Sequence, residues 1–362
     1  MNPQSDCPLF TIIPPEVRNR IYEFSLESAD TDPSKRPAYM KHAMYYRPGF
    51  QRPKRINTSL LLTCRRIYIE ACLVPIAMNE HTFWYHRAPP HVKNANSPRE
   101  YFLKMTCDQL AAVQHLHFFM QQYCLEDSWW HICRSIPNIG IAPKKITITL
   151  RHSDWWDWEA NNDLGIDPFR KGKTDAKVMR MTMQKQLHAN EDQHKNAWGY
   201  QFKHIPSLEE IEIEFETVMR KRAQLDAIVE WASKEWKFPH SSGNGHEQAF
   251  VCDEKTKKVQ KWIGAKEGLL DEYGSSANAY SFDQSDDENL DPLADDDFTP
   301  TPDIAVTVLE TESVPPDPAH TGTTGTTPSE KPSSKNPKQE FDPETEEEYY
   351  VVFLTWTRQA VQ

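Results

Sequence analysis

The chain has 362 residues and a net charge of −12, but its acidity is concentrated in one segment. Residues 271–348 contain 21 Asp and Glu against 3 Lys, a balance of −18, so the rest of the chain carries +6. Hydrophobic residues make up 38% of the sequence, which is enough for a sizeable core. No run of about 18 apolar residues exists, so no membrane partner is expected. The seven cysteines form no CxxC pair and there is no apolar leader, which indicates a cytoplasmic or nuclear location.

The stretch from Ile13 to Phe24 predicts a short amphipathic helix. A Pro-Pro pair suits its first turn, where missing N–H groups cost nothing. Val17, Ile21 and Phe24 recur at i, i+4 and i+7, so they are expected to form one apolar stripe along the helix. This stripe either faces another protein or packs internally against the strand that contains Phe83 and Trp84.

A second helix and an edge strand are predicted between residues 58 and 85. The helical period gives the second helix a buried face made of Leu60, Cys64, Ile67, Tyr68 and Ala71. The following run Asn79–Tyr85 is rich in β-forming residues and predicts an extended strand at the edge of a sheet.

The two helices carry a family resemblance. Ile-Pro-Pro-Glu-Val at 13–17, followed by Ile-Tyr at 21–22, resembles the first helix of an F-box. Together with Thr-Cys-Arg-Arg-Ile-Tyr-Ile-Glu-Ala at 63–71, it resembles more closely a set of uncharacterised fungal proteins. Their motifs are Pro-Pro-Glu-Ile-Arg-x-x-Ile-Tyr and Thr-Cys-Arg-x-Ile-Tyr-x-Glu-Ala. The resemblance covers residues 9–85, apart from a loop at 27–53 that is longer than the F-box connection.

The resemblance implies an F-box-like helical head over residues 1–98. It implies docking to a Skp1-type adaptor, with the chain acting as the substrate receptor of a ubiquitin ligase for an unknown protein substrate. The adaptor-binding residues that it implies are Ile13, Pro14, Val17, Ile21 and Tyr22.

The loop at 27–53 is basic and rich in tyrosine. Basic groups interleaved with aromatic rings bind single-stranded nucleic acid by phosphate pairing and base stacking. The alternative is a loop whose tyrosines fold back onto the domain, which is the more common use of a basic surface loop. A nucleic-acid-associated or scaffold role is therefore the second hypothesis, and nucleic acid is not the expected partner.

Residues 99–270 predict a body of alternating strands and helices. Three strands alternate apolar and polar residues at 115–118, 146–150 and 210–216, so each is expected to have one wet face. Residues 205–213 resemble the opening of a leucine-rich-repeat strand. The fold class is thus mixed α+β: a helical head, then a degenerate leucine-rich-repeat-like body or an ordinary α/β sandwich without repeat ancestry.

The C-terminal part predicts a hairpin, a linker and a closing strand. Residues 249–252 and 259–263 flank a polar turn and read as a hairpin. The acidic, Pro-rich stretch 271–348 has too few apolar groups to offset the entropy of ordering, so it is expected to be a disordered linker. The apolar strand within 349–362 is expected to pair with the hairpin and close the fold.

No residue set argues for catalysis, a cofactor or a metal ion, so the chain is expected not to be an enzyme. A loop at 152–159 follows a strand and is rich in Trp and carboxylates. Trp155, Trp156 and Trp158 are its candidate partner-binding residues. The enzyme alternative uses Asp154, Asp157 and Glu159 and requires these carboxylates to converge in a pocket.

Overall fold

The fold is described from a computed structural model of the chain. The described residues are 4, 6–34, 37–89, 92, 98–186, 194–241, 247–266 and 342–360. The predicted disordered linker lies outside them except for its last seven residues, 342–348.

Nine α-helices and ten strands fall within these ranges. The helices are α1 (Pro8–Thr11), α2 (Pro15–Ser25), α3 (Arg65–Ala71), α4 (Val74–Met78), α5 (Pro98–Phe102), α6 (Cys107–Ala112), α7 (Gln122–Ile139), α8 (Ala176–Met183) and α9 (Arg222–Glu235). The strands are β1 (Ser28–Asp30), β2 (Lys54–Ile56), β3 (Glu80–Trp84), β4 (His115–Phe119), β5 (Lys145–Leu150), β6 (Glu210–Val218), β7 (Lys237–Ser241), β8 (Glu247–Cys252), β9 (Lys258–Ala265) and β10 (Glu346–Ala360). The fold class is mixed α+β, as predicted.

One eight-stranded sheet organises the molecule. Its order is β3-β4-β5-β6-β10-β8-β7, and β9 also pairs with β10. Strands β3 to β6 are parallel neighbours in chain order, which matches the predicted rhythm of strands and helices. Strand β3 lies at one edge, as the sequence predicts, and it joins the end of the residue range 1–98 to the sheet.

The two faces of the parallel half differ in chemistry, and both are buried. The apolar face packs with α7 and α9 in the main core, where Trp129 of α7 meets Phe118 at 5.2 Å between ring centroids. The other face carries polar residues, and the expectation that it is wet is wrong: His117, Thr149 and Glu214 are fully buried. The reason is that residues 37–53 lie over this face.

The C-terminal strand is central, and the predicted hairpin is wrong. Strand β10 pairs antiparallel with β6 along one side. On its other side it pairs with β8 through residues 356–360 and with β9 through residues 346–353. Strands β8 and β9 therefore follow one another along the same edge of β10 and do not pair with each other. The closing role predicted for this strand is confirmed.

The helical head has a small core of its own. Buried Tyr22, Leu26, Ile67 and Ala71 form a cluster separate from the main core. Cys64 is the N-cap of α3, and its Sγ accepts a hydrogen bond from the Ile67 backbone N–H (3.5 Å). The head here means residues 8–78, which contain α1 to α4.

In the part of the chain that the structure describes, no helix combines the length and apolarity needed to cross a membrane.

Candidate docking surface

Helix α2 turns its apolar stripe outward. Val17 is 49% exposed, Ile21 37% and Phe24 65%. These three residues, spaced i, i+4 and i+7 on one helix face, are called the docking stripe below. Trp84 instead packs against Phe119, with ring centroids 3.7 Å apart. The alternative in which the stripe packs internally against β3 is therefore wrong.

The inner side of α2 is held by a polar network centred on Glu70 of α3. Arg18 grips this carboxylate with two hydrogen bonds, from Nε to Oε2 at 3.0 Å and from Nη2 to Oε1 at 3.1 Å. Tyr22 donates its hydroxyl to Oε2 at 2.9 Å, and Arg66 donates Nε to Oε1 at 3.1 Å. Arg18 also donates Nη1 to the carbonyl of Ile13 (2.9 Å), which fixes the turn before α2.

The electrostatics of this network favour the charged carboxylate. The hydrogen bonds from Arg18 hold the pKa of Glu70 below its ordinary value. Burial, together with the neighbouring carboxylate, raises the pKa of Tyr22 to about 12. Glu70 therefore accepts hydrogen bonds at neutral pH, and Tyr22 stays a donor.

The network divides the two sequence motifs into inner and outer residues. Arg18, Tyr22 and Glu70 face inward, whereas Val17 and Ile21 face outward. Tyr22 is fully buried, so its predicted place among the adaptor-contacting residues is wrong: its ring fills the head core and its hydroxyl binds Glu70. Of the other predicted contacts, Pro14 is exposed and Ile13 is half-buried. The sequence contained a signal for the inward position of Tyr22, because Tyr22 lies four residues after Arg18. The two residues therefore share a helix face that is different from the face of the docking stripe.

Further apolar side chains are exposed on the same small unit. Ile12, Leu62, Tyr68 and Ile69 are each more than half exposed. Tyr68 was expected in the buried face of the second helix and is not, because the helix α3 begins only at Arg65 and turns Ile67 and Ala71 inward. Exposed apolar residues that gather in one region mark interaction surfaces more often than scattered ones do.

The polar face of the sheet forms a second, buried network. Glu80 on β3 binds His117 Nδ1 at 2.7 Å, and His117 Nε2 binds the Thr149 hydroxyl at 2.7 Å. Thr149 donates its single proton to Glu214 Oε2 at 2.8 Å, so it accepts from His117. Both ring nitrogens of His117 therefore carry protons, and the ring is an imidazolium. The network crosses all four parallel strands.

The network ends on Arg47, which comes from the basic loop. Arg47 Nη2 lies 3.0 Å from Glu214 Oε2 and 3.6 Å from Glu216 Oε2, and its side chain is only 5% exposed. Phe50 packs edge-on to Phe119 at 4.8 Å. The loop thus folds back onto the domain, and its Arg47 pairs with carboxylates of the sheet. Lys35 and Arg36 of the same loop lie outside the described residues.

Burial and charge compete within this network. Burial raises the pKa of Glu80, but the charge and hydrogen bond of His117 outweigh burial and bring that pKa down to about 2. Burial lowers the pKa of His117, and the Glu80 carboxylate outweighs it in turn, so the pKa of His117 is raised. Each member of the pair therefore favours the charged form of the other.

The Trp-rich loop after β5 is mostly used for packing. Trp155 is buried against Phe215, and its indole N–H donates to the Glu216 carbonyl at 2.8 Å, so its predicted role as a partner contact is wrong. Trp156 and Trp158 are half-buried and stay predicted contacts. The Trp156 indole N–H donates to Glu126 at 2.6 Å.

The carboxylates of this loop do not converge. Asp154 is buried in a bidentate pair with Arg151, with Oδ2 at 2.7 Å from Nε and Oδ1 at 3.0 Å from Nη2. Asp157 points to Lys173 at the surface, and Glu159 is exposed. The arrangement required by the enzyme alternative is therefore not present. In the described ranges, no cluster of three or more His, Cys, Asp or Glu side chains is placed to hold a metal ion.

Comparison with known proteins gives no significant match: no family model, no curated protein and no solved structure is similar to the chain. The F-box resemblance of residues 9–85 therefore rests on its motif residues alone.

Proposed function

We propose that this chain is a non-enzymatic protein-interaction module and that its head docks a second protein through the docking stripe. The observation that carries this proposal is the exposure of Val17, Ile21 and Phe24 along one face of α2. A helix that offers apolar anchors at i, i+4 and i+7 suits insertion into a hydrophobic groove. The head exposes further apolar side chains at Ile12, Leu62, Tyr68 and Ile69.

The hydrogen bonds that hold α2 against α3 support the same proposal. Arg18, Tyr22 and Glu70 tie its inner side to α3 through several hydrogen bonds, so the helix is already ordered before a partner arrives. An interface that is rigid in the free protein loses less conformational entropy on binding. The polar network thus leaves the apolar stripe free while fixing its direction.

The partner that we propose is a Skp1-type adaptor, on the F-box resemblance of the two helices. The chain would then be the substrate receptor of a ubiquitin ligase, and its sheet body would hold the protein substrate. Trp156 and Trp158, half-buried beside the end of β5, are the contacts proposed for that second partner.

The test is direct binding of the purified chain to a purified Skp1-type adaptor by calorimetry. We expect Ile21→Asp to weaken binding by at least about 30-fold, because it removes an apolar anchor and places an unpaired charge in the interface. The same substitution is expected to lower the free energy of unfolding by about 1–2 kcal/mol, because Ile21 is only 37% exposed and Asp is a poorer helix former, so urea unfolding must first show that the variant is folded under the binding conditions.

The matched control is Leu103→Asp, which places the same charge at an exposed apolar residue outside the head. It is expected to bind the adaptor like the unmodified chain. Absence of binding by the unmodified chain, or equal affinity of the Ile21→Asp variant, would remove the adaptor from the proposal.

A further inference from the structure

Strand β9 has one side without a strand partner among the described residues. It pairs with β10 from Lys258 to Ala265, and no other strand pairing involves it. The backbone N–H and C=O groups along an open edge are ready to pair with an added strand. In the order of the sheet, β9 is separated from β3 by β4, β5, β6 and β10.

The side chains of β9 leave apolar surface beside this edge. Val259 and Ile263 are each 51% exposed. They stand on the same strand face as Lys261, because side chains alternate along a strand. On the opposite face, Trp262 is stacked on Tyr349 with ring centroids 4.4 Å apart, so the strand is held in place. An added strand would cover Val259 and Ile263 in part.

The segment that contains this edge has an excess of positive charge. Between residues 255 and 266 there are five lysines and no Asp or Glu, and of these lysines Lys261 is paired with Glu348 of β10 at 3.2 Å. Two copies of the chain that paired through this edge would bring their lysines together, and like charges on facing strands are unfavourable. A strand flanked by acidic residues has the complementary charge.

The chain itself supplies such a strand next to the edge. Residues 267–341, which lie outside the described residues, connect β9 to β10 and contain 17 Asp and Glu against 3 Lys. Within them, Ile304–Leu309 reads Ile-Ala-Val-Thr-Val-Leu between Asp303 and Glu310. This run has β-branched residues at four of its six positions and contains neither Gly nor Pro, which is the composition of a strand.

We propose that residues 303–310 pair with the open edge of β9 and extend the sheet by one strand. The connections permit it, because 37 residues separate Ala265 from Asp303 and 35 separate Glu310 from Glu346. At about 3.3 Å per extended residue, either connection spans more than about 100 Å, so the added strand can run in either direction. Covalent attachment gives an effective concentration in the millimolar range, so a weak pairing is sufficient to fill the edge.

The test is amide hydrogen exchange in the full chain, followed residue by residue. In an open edge strand, alternate amides of β9 face solvent and exchange fast. We expect these amides, and those of residues 304–309, to exchange at least about tenfold more slowly than open amides. Thr307→Pro removes an N–H from the centre of the run and is expected to restore fast exchange at both places.

The matched control is Thr323→Pro, the same substitution elsewhere in the connecting segment, which is expected to leave the exchange slow. An unchanged urea midpoint in both variants shows that the sheet itself stays folded. Fast exchange at β9 in the unmodified chain would overturn the proposal. Slow exchange that survives Thr307→Pro would also overturn the proposal, because another strand would then fill the edge. Protection that increases with protein concentration would overturn it too, because a second copy of the chain would then fill the edge. None of these results bears on the docking stripe.

Discussion

The clamp between Arg47 and the sheet gives a quantitative prediction. Arg47 lies within ion-pair distance of Glu214 and Glu216, and the three side chains are 5%, 1% and 4% exposed. Arg47→Met keeps most of the aliphatic length and removes the charge. Two carboxylates then stay buried without their arginine, although Thr149 still donates to Glu214 and Trp262 to Glu216.

The expected loss is large because of this burial. Removal of one member of a buried ion pair typically costs about 3–5 kcal/mol, since the remaining charge has lost its water and its partner. With a urea m-value of roughly 2–3 kcal/mol/M, the midpoint of unfolding should fall by about 1–2 M. Burial raises the pKa of Glu216, and the positive charge of Arg47 opposes this rise. The variant should therefore also bind a proton more readily at Glu216.

The assay is urea unfolding followed by tryptophan fluorescence, with two further variants. Arg65→Met makes the same replacement at an exposed position of the head and is expected to shift stability by less than about 0.5 kcal/mol. The triple variant Arg47→Met, Glu214→Gln, Glu216→Gln removes the uncompensated charges and is expected to regain about half of the loss. An Arg47→Met variant as stable as Arg65→Met would refute the ion pairs of Arg47 with the sheet and would indicate that the basic loop is exposed to solvent.

Two further predictions concern the two polar networks. Tyr22→Phe should lower the free energy of unfolding by about 1–2 kcal/mol, because it removes a buried hydrogen-bond donor to Glu70. Tyr68→Phe, at the exposed face of α3, should change the free energy of unfolding by less than about 0.5 kcal/mol. Equal effects of the two substitutions in urea unfolding would contradict the network. For His117, the folded-state pKa is raised above the ordinary 6.5, so the pair with Glu80 contributes stability that is fully present below pH 6.5 and is lost as the pH rises through the folded value. Nitrogen NMR should show both ring nitrogens protonated at pH 7, and a neutral tautomer at that pH would be inconsistent with the assigned hydrogen bonds.

Local patterns were sufficient for the elements and for some of their partners. The Pro-Pro start and the i, i+4, i+7 spacing predicted α2, because helix starts and periods depend on neighbouring residues. Period-2 alternation predicted β4, β5 and β6 for the same reason. The closing strand was predicted because its apolar run, Tyr349 to Trp356, would promote aggregation if it were left unpaired.

The predictions that were wrong concern contacts between residues that are far apart in the chain. The polar sheet face was expected to be wet, but its cover comes from Arg47 and Phe50, which precede β6 by some 160 residues. A general rule was nevertheless available, since parallel sheets are usually covered on both faces. The hairpin of β8 and β9 failed because the competing partner, β10, returns only after residues 267–341. The adaptor-contacting position predicted for Tyr22 was wrong because the prediction considered only its apolar ring. Its hydroxyl donates a hydrogen bond to Glu70 on the other side of the head.

The head shows why a docking surface and a stable helix can coexist in a short segment. A fully buried Val, Ile or Phe side chain stabilises a fold by roughly 1.5–3 kcal/mol, and α2 forgoes much of this at three positions. Single exposed apolar residues are common and need no explanation. Three on one helix face are different, because turning α2 about its axis would bury them. In the structure, the two hydrogen bonds from Arg18 to Glu70 and the buried Tyr22 fix the opposite side of α2 against α3, and this orientation leaves the docking stripe outward.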